Sequence, residues 1–130
     1  MTLRADRYFT IPAASDARVP PGALIVVLAR DGERCVYCGA RESQMQVDHV
    51  RPCAHFARRV PARVVNALSN LVTACSHCNA TKGPQDLEGF ARALVARGVA
   101  QGRVDSMCLR VTLATATPGD TVLVRRRRSP

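Results

Sequence analysis

The sequence predicts a single small α+β domain, and three patterns along its 130 residues predict it. Two Cys-x-x-Cys pairs, at residues 35–38 and 75–78, have the spacing of a four-thiolate zinc site. Between the pairs, residues 44–48 alternate polar and apolar side chains, which is typical of a short strand. After the pairs, apolar residues recur at helical spacing over residues 87–95. We therefore expect short strands and helices around a structural zinc.

The segment before the first cysteine pair predicts an arm followed by a helix. Prolines and a polar step interrupt residues 1–20, so no regular element is expected there. Residues 22–31 have the length of a helix, with Pro21 suited to its first turn and Gly32 to its end. The β-branched residues within that segment leave a buried strand as an alternative.

The segment after the strand predicts a basic connection and then a helix. Residues 53–69 form the connection, with a possible second strand around residues 62–65. The second cysteine pair leads into a short helix, on which Asn79 and Lys82 share one face because they are three residues apart. Amphipathic spacing then predicts the helix over residues 87–95, which Gly98 ends.

The last part of the chain predicts a hairpin and a basic tail. Residues 103–124 alternate polar and apolar side chains in part, so residues 108–114 and 121–125 read as the strands of the hairpin, joined by the turn signal at residues 117–120. The domain organisation predicted in this way has three parts. They are an N-terminal arm at residues 1–20, a core with flanking helices at residues 21–102, and a C-terminal hairpin and basic tail at residues 103–130.

The charge of the chain predicts a polyanionic partner. The formal net charge is +9, and 18 of the 19 basic residues are arginines, whose planar fork matches phosphate oxygens. Biased codon usage is an alternative explanation for the preference for arginine, but not for the excess of positive charge. The arginines expected to contact nucleic acid without reading its sequence are Arg58, Arg59, Arg63, Arg125, Arg126, Arg127 and Arg128.

The cysteines and the apolar runs predict where the protein resides. The first seven residues show no apolar stretch of a secretory signal, so we expect a reducing, cytoplasmic setting in which paired cysteines bind metal rather than form disulfides. The longest apolar run, residues 23–29, is shorter than the roughly 20 residues that a bilayer requires. A soluble protein without membrane partners is expected.

Four short stretches together resemble the HNH endonuclease family in its zinc-stapled four-cysteine form. They read Cys-Val-Tyr-Cys-Gly at residues 35–39, Asp-His-Val at 48–50, Asn-Leu-Val-Thr-Ala-Cys at 70–75 and Cys-Asn-Ala-Thr-Lys-Gly at 78–83. The resemblance covers residues 35–83 and implies a ββα-metal core that cleaves phosphodiester bonds with one divalent cation. It does not cover the two ends of the chain.

The resemblance also implies roles for individual residues. Asp48 and Asn79 are implied as ligands of the catalytic cation, with Asn79 standing where many members have histidine. His49 is implied as the general base and Asn70 as the residue that orients it, while Lys82 stands at a position that often faces phosphate. The structural zinc is implied to bind Cys35, Cys38, Cys75 and Cys78.

The chemistry of these residue types agrees with that assignment. A histidine that is neutral near pH 7 can accept a proton from water. One carboxylate and one amide oxygen suit a hard cation, Mg²⁺ or Mn²⁺. Adjacent residues of a regular strand face opposite sides, so Asp48 and His49 serve one site only if the strand breaks between them. The chain has no glycine between His49 and Gly83, a departure from the family that affects the substrate loop.

Three functional hypotheses remain at this stage. The favoured one is an endonuclease that cleaves DNA, most simply double-stranded DNA. The first alternative is a zinc-ribbon module that holds nucleic acid without cutting it, for which the cysteines and arginines alone would suffice. The second is an RNA-cutting or toxin-like nuclease with the same machinery. The sequence is equally compatible with a DNA and an RNA substrate.

Overall fold

The computed structural model describes residues 19–57 and 60–116. Within them the chain forms five α-helices and a two-stranded sheet. The helices and strands in chain order are α1 (Pro21–Arg30), β1 (Gln46–His49), α2 (Ala62–Val65), β2 (Leu71–Ala74), α3 (Ser76–Lys82), α4 (Leu87–Ala96) and α5 (Gln101–Ala116). Two 3₁₀ turns, Cys53–His55 and Leu68–Asn70, lie in the connection between the strands. The predicted α+β class is confirmed.

The two strands form an antiparallel ribbon at the centre of the core. His49 lies opposite Leu71 and Asp48 opposite Val72. Every residue of β2 is buried, so helices cover the ribbon instead of leaving one face to solvent. A ribbon of two strands is marginal by itself, and this covering by helices is what makes it stable.

A buried ion pair attaches the end of α1 to the start of β2. The Arg30 guanidinium bonds the Asp31 carboxylate at 2.8 Å and donates to the carbonyls of Leu68 and Leu71 at 2.8 and 2.5 Å. Asp31 in turn accepts the amide of Thr73 at 2.8 Å. Because these hydrogen bonds satisfy both charges, they offset the desolvation penalty of burying the pair. The ion pair thereby holds β2, the strand that lies opposite His49, in position.

The two last helices hold the first cysteine pair in place. Phe90 of α4 packs edge-to-face on Tyr37, with ring centroids 5.5 Å apart. Arg110 of α5 donates to the carbonyls of Val36 and Tyr37 at 3.0 and 2.7 Å. The chain around the first cysteine pair is therefore clamped from both helices, and the aromatic contact adds to the area that α4 buries.

Several predicted elements are confirmed, and two are wrong. The helices predicted over residues 22–31 and 87–95, the strand near residues 44–48 and the short helix after the second cysteine pair are all present. The second strand expected around residues 62–65 is instead the helix α2, and the returning strand is β2.

The predicted C-terminal hairpin is wrong at its first strand, because residues 108–114 belong to α5. Val104, Met107 and Val111 are buried at helical spacing, and this pattern outweighs the partial alternation on which the strand was predicted. The arm at residues 1–18, the turn at 117–120 and the expected strand at 121–125 lie outside the described residues. Among the described helices, none is both long and apolar enough to span a membrane.

Candidate active site and metal centre

The four cysteines of the two pairs converge into one cluster. The sulfurs of Cys35, Cys38, Cys75 and Cys78 all lie within 4.8 Å of one another. Tetrahedral sulfurs at the usual Zn–S distance of about 2.3 Å are about 3.8 Å apart. The Cys38 and Cys75 sulfurs lie 3.7 Å apart, close to that spacing. The cluster is thus compatible with a zinc site, as the sequence predicted.

Two backbone amides and the pKa of Cys35 also favour the binding of a cation at this cluster. The amides of Cys38 and Cys78 point at the sulfurs of Cys35 and Cys75, each at 3.4 Å. The pKa of Cys35 is lowered to about 5, chiefly because Cys78 hydrogen-bonds its sulfur, whereas the same contact raises the pKa of Cys78. The lowered pKa of Cys35 favours its thiolate, which is the form that binds metal.

His49 is held as a neutral imidazole with a defined tautomer. Its Nε2 lies 2.7 Å from Oδ1 of Asn66, and because an amide oxygen only accepts, Nε2 carries the proton. The unprotonated nitrogen is then Nδ1. Burial lowers the pKa of His49 below its ordinary 6.5, outweighing the contacts with Asn66 and Asp48 that raise it. The basic atom at neutral pH is therefore Nδ1.

Asp48 lies in a buried polar cluster between β1 and α3. Its Oδ2 accepts the Tyr37 hydroxyl at 2.5 Å and lies 3.0 Å from the Lys82 ammonium. Lys82 also donates to the carbonyl of His49 at 2.9 Å. Burial and the charge of Asp48 raise the pKa of Tyr37 well above its ordinary value, so the hydroxyl remains a donor. Asp48 is thus buried as a paired carboxylate.

The strand does not break between Asp48 and His49, since both residues pair regularly with β2. Asp48 contacts Tyr37 and Lys82, whereas His49 contacts Asn66 in the connection between the strands. The two side chains lie on different sides of the ribbon, as strand geometry requires.

The orienting contact predicted for Asn70 is made by Asn66 instead. Asn70 Oδ1 accepts the amide of Arg51 at 2.8 Å, and Asn70 Nδ2 donates to the carbonyls of Arg51 and Val65. Asn70 therefore closes the connection between the strands, and the hydrogen bonds of its side chain within the described part of the chain do not involve His49. Sequence reasoning missed Asn66 because it lies in an irregular segment without a motif, four residues from the asparagine that matched the family.

Asn79 and Lys82 do share one face of α3, and that face packs on β1. Asn79 Nδ2 donates to Oε1 of Gln46 at 2.5 Å, next to the place where Lys82 meets Asp48. Lys82 is only 1% exposed, so the expectation that it faces phosphate is wrong for this conformation. Arg63 is exposed on α2, while Arg58, Arg59 and the tail arginines 125–128 lie outside the described residues.

The donor set predicted for a catalytic cation fits such an ion in its chemistry. Asp48 supplies a carboxylate and Asn79 an amide oxygen, and both border the interface between β1 and α3. Lys82, however, already balances the charge of Asp48. A cation bound there would share the carboxylate of Asp48 with the buried ammonium of Lys82.

Comparison with known proteins supports the class that this fold and cluster define. The model of the HNH endonuclease family matches residues 35–85, which confirms the resemblance over the zinc-type cluster, both strands and α3. Proteins of this family are generally nucleases and act on nucleic acid. No curated protein and no solved structure matches the chain.

Proposed function

We propose that this protein is an HNH-type endonuclease that hydrolyses phosphodiester bonds in DNA, with His49 as the general base. The observation that carries the proposal is the state of His49. The side chain is neutral because it is buried, and its proton is placed on Nε2 by Asn66. A general base needs a free lone pair at the operating pH, and Nδ1 supplies one.

In the proposed reaction, Nδ1 of His49 accepts a proton from a water molecule whose oxygen attacks the phosphorus. The imidazolium that forms still donates its Nε2 proton to Oδ1 of Asn66, so the ring does not need to turn. The bond from phosphorus to the leaving oxygen breaks, and that oxygen takes up a proton. A divalent cation, Mg²⁺ or Mn²⁺, held by Asp48 and Asn79 would neutralise charge on the phosphate and on the leaving oxygen. For this cation and His49 to act on one phosphate, the end of β1 would have to open when substrate binds, because Asp48 and His49 lie on different sides of the ribbon in this conformation.

The cysteine cluster has a structural role in this proposal. Zinc on the four thiolates would join the chain before β1, which carries Tyr37, to the start of α3, the helix that ends at Lys82. Because both side chains hold Asp48, the zinc would fix Asp48 indirectly. Four thiolates fill the coordination sphere, so this ion has no open position for substrate.

DNA is the proposed substrate because the net charge of +9 favours a dense polyanion. The same charge would also hold RNA, so the assay must include both. A zinc-ribbon module that only binds nucleic acid is the second candidate. The observation that favours it is the ion pair of Lys82 with Asp48, since this pair neutralises the carboxylate that a catalytic cation would use.

The decisive experiment compares wild type with His49→Ala on supercoiled plasmid and on RNA, with Mg²⁺ or Mn²⁺. Loss of a general base should slow cleavage by about 10²–10⁴-fold and leave binding almost unchanged. His77→Ala is the matched control, because His77 is exposed and should cleave like wild type. Equal rates for wild type and His49→Ala would exclude His49 as the base. If wild type cuts none of these substrates but binds them, the binding module is favoured.

A further inference from the structure

We propose that Arg51 is the residue that positions the phosphate of the substrate beside His49. The inference rests on the proposed function and adds a contact that the sequence motifs do not contain. Lys82, which the resemblance placed against phosphate, is buried, so that role is unfilled in this conformation. Arg51 is exposed and lies two residues after His49. Its ordering, anchorage and charge each support the assignment.

The Arg51 side chain is ordered before any substrate binds. Its guanidinium carbon lies 4.6 Å from the centre of the Phe56 ring, which is a cation–π contact. Nη2 also donates to the carbonyl of His55 at 3.0 Å. These two contacts fix the plane of the guanidinium, although the residue is exposed. A fixed cation loses less conformational entropy on binding than a free arginine does.

The backbone of Arg51 is anchored to the same segment that holds the proposed base. Asn70 bonds both the amide and the carbonyl of Arg51, at 2.8 and 3.1 Å, in the way that a paired strand would. The Val50 amide donates to the carbonyl of Asn70 at 2.9 Å. Asn66, four residues earlier, holds the ring of His49. Asn66 and Asn70 therefore hold the proposed base and Arg51 in fixed positions relative to each other.

The charge of Arg51 is not neutralised within the described part of the chain. Arg30 pairs with Asp31, Arg92 with Glu88, and Lys82 with Asp48. No carboxylate of residues 19–57 or 60–116 forms an ion pair with Arg51. The guanidinium donors that His55 does not use match the oxygens of a phosphodiester, for which a planar fork is suited. The structure thus supplies an ordered cation, without an ion-pair partner in the described part of the chain, two residues after the proposed base.

The test measures binding and cleavage separately. Binding of a fluorescent DNA duplex is measured against salt in a His49→Ala background, with Arg51→Gln and Arg51→Lys added. Arg97→Gln is the control, since Arg97 is exposed at the end of α4 and its loss also lowers the formal charge from +9 to +8. Zinc content and thermal midpoints of all variants are compared first, so that misfolding is detected.

We expect Arg51→Gln to weaken binding about tenfold and to flatten the salt slope by about 0.9, the value for one phosphate contact. Arg51→Lys should keep the slope but bind more weakly than the parent, because lysine lacks the planar fork. In the wild-type background, Arg51→Gln should raise KM more than it lowers kcat. An Arg51→Gln variant that matches Arg97→Gln in affinity and slope overturns the proposal. Failure of wild type to cleave overturns the proposed function instead, and the binding result still decides the role of Arg51.

Discussion

Replacing Lys82 with methionine tests whether the buried ion pair beneath the proposed active site is as isolated from water as its geometry indicates. Methionine keeps the length and the apolar stem of lysine and removes the ammonium. In the native protein the Lys82 side chain is 0% exposed and that of Asp48 is 10% exposed, with 3.0 Å between Nζ and Oδ2. The substitution therefore leaves a buried carboxylate with only the hydroxyl of Tyr37 as a partner among the contacts described above.

The expected loss follows from the burial of that carboxylate. Removing one member of a buried ion pair costs about 3–5 kcal/mol, because the remaining charge keeps its desolvation penalty without its partner. The carbonyl of His49 also loses its donor, which adds about 1 kcal/mol. A total near 4–6 kcal/mol is a large part of the roughly 5–15 kcal/mol that stabilises a typical domain. Lys82→Met should therefore be close to unfolded at room temperature.

The measurement is urea unfolding followed by circular dichroism, with zinc held at one saturating concentration, since bound metal contributes to the apparent stability. The double variant Asp48→Asn with Lys82→Met is the control, because it removes both charges together. It should recover most of the lost stability, since replacing both members of a buried pair is often nearly neutral. A loss below about 1 kcal/mol for Lys82→Met, the range of exposed pairs, would refute this reasoning.

Four further outcomes are expected. Cys75→Ser should lower the zinc content from about one per chain, as a four-cysteine site requires, and should destabilise the fold; full zinc content in this variant would contradict a zinc site at the four cysteines. Brief EDTA treatment of wild type should instead stop cleavage without unfolding the protein, and added Mg²⁺ should restore cleavage. Asn66→Leu should lower kcat with little change in KM. Asn66→Asp, which keeps an acceptor for Nε2 of His49, should retain much of the wild-type activity; an equal loss of kcat in both variants would mean that Asn66 has only a packing role. The contribution of His49 to the free energy of unfolding should be complete above pH 6.5, the ordinary pKa of histidine, and should be lost as the pH falls from there through the lowered pKa of folded His49, because the unfolded chain then binds the proton more tightly; urea midpoints at pH 5 and pH 7 should differ less in His49→Gln. Removing residues 125–128 lowers the formal charge from +9 to +5 and should flatten the salt dependence of DNA binding; an unchanged slope would mean that the tail does not contact DNA.

The parts of the site that sequence predicts well are those fixed by short spacing. Two cysteines separated by two residues bring their sulfurs together through local turn geometry, so the cluster follows from the pattern once the two pairs meet. Asn79 and Lys82 share a face because three residues span almost one helical turn. In both cases the local backbone determines the contact, and tertiary packing adds little information.

The parts that sequence misses depend on packing between distant segments. Whether Lys82 faces solvent or core depends on the position of α3 against β1, which no local pattern encodes. The choice between Asn66 and Asn70 as the partner of His49 depends on the path of an irregular connection. Residues 108–114 alternate apolar and polar side chains in part, but the burial of Val104, Met107 and Val111 against the core determines a helix.

Asp48 affects both stability and the proposed catalysis, because it pairs with the buried ammonium of Lys82 and is also a proposed ligand of the cation. If the cation binds at Asp48, it approaches a positive charge that lies 3.0 Å from the same carboxylate. Removal of that ammonium should then tighten cation binding, even though it destabilises the fold. Titration of Mn²⁺ into Lys82→Met at low temperature, where enough folded protein remains, measures this effect against wild type. Tighter binding in Lys82→Met, together with loss of cleavage in the stable double variant, would place the cation at Asp48, whereas unchanged binding would place it elsewhere.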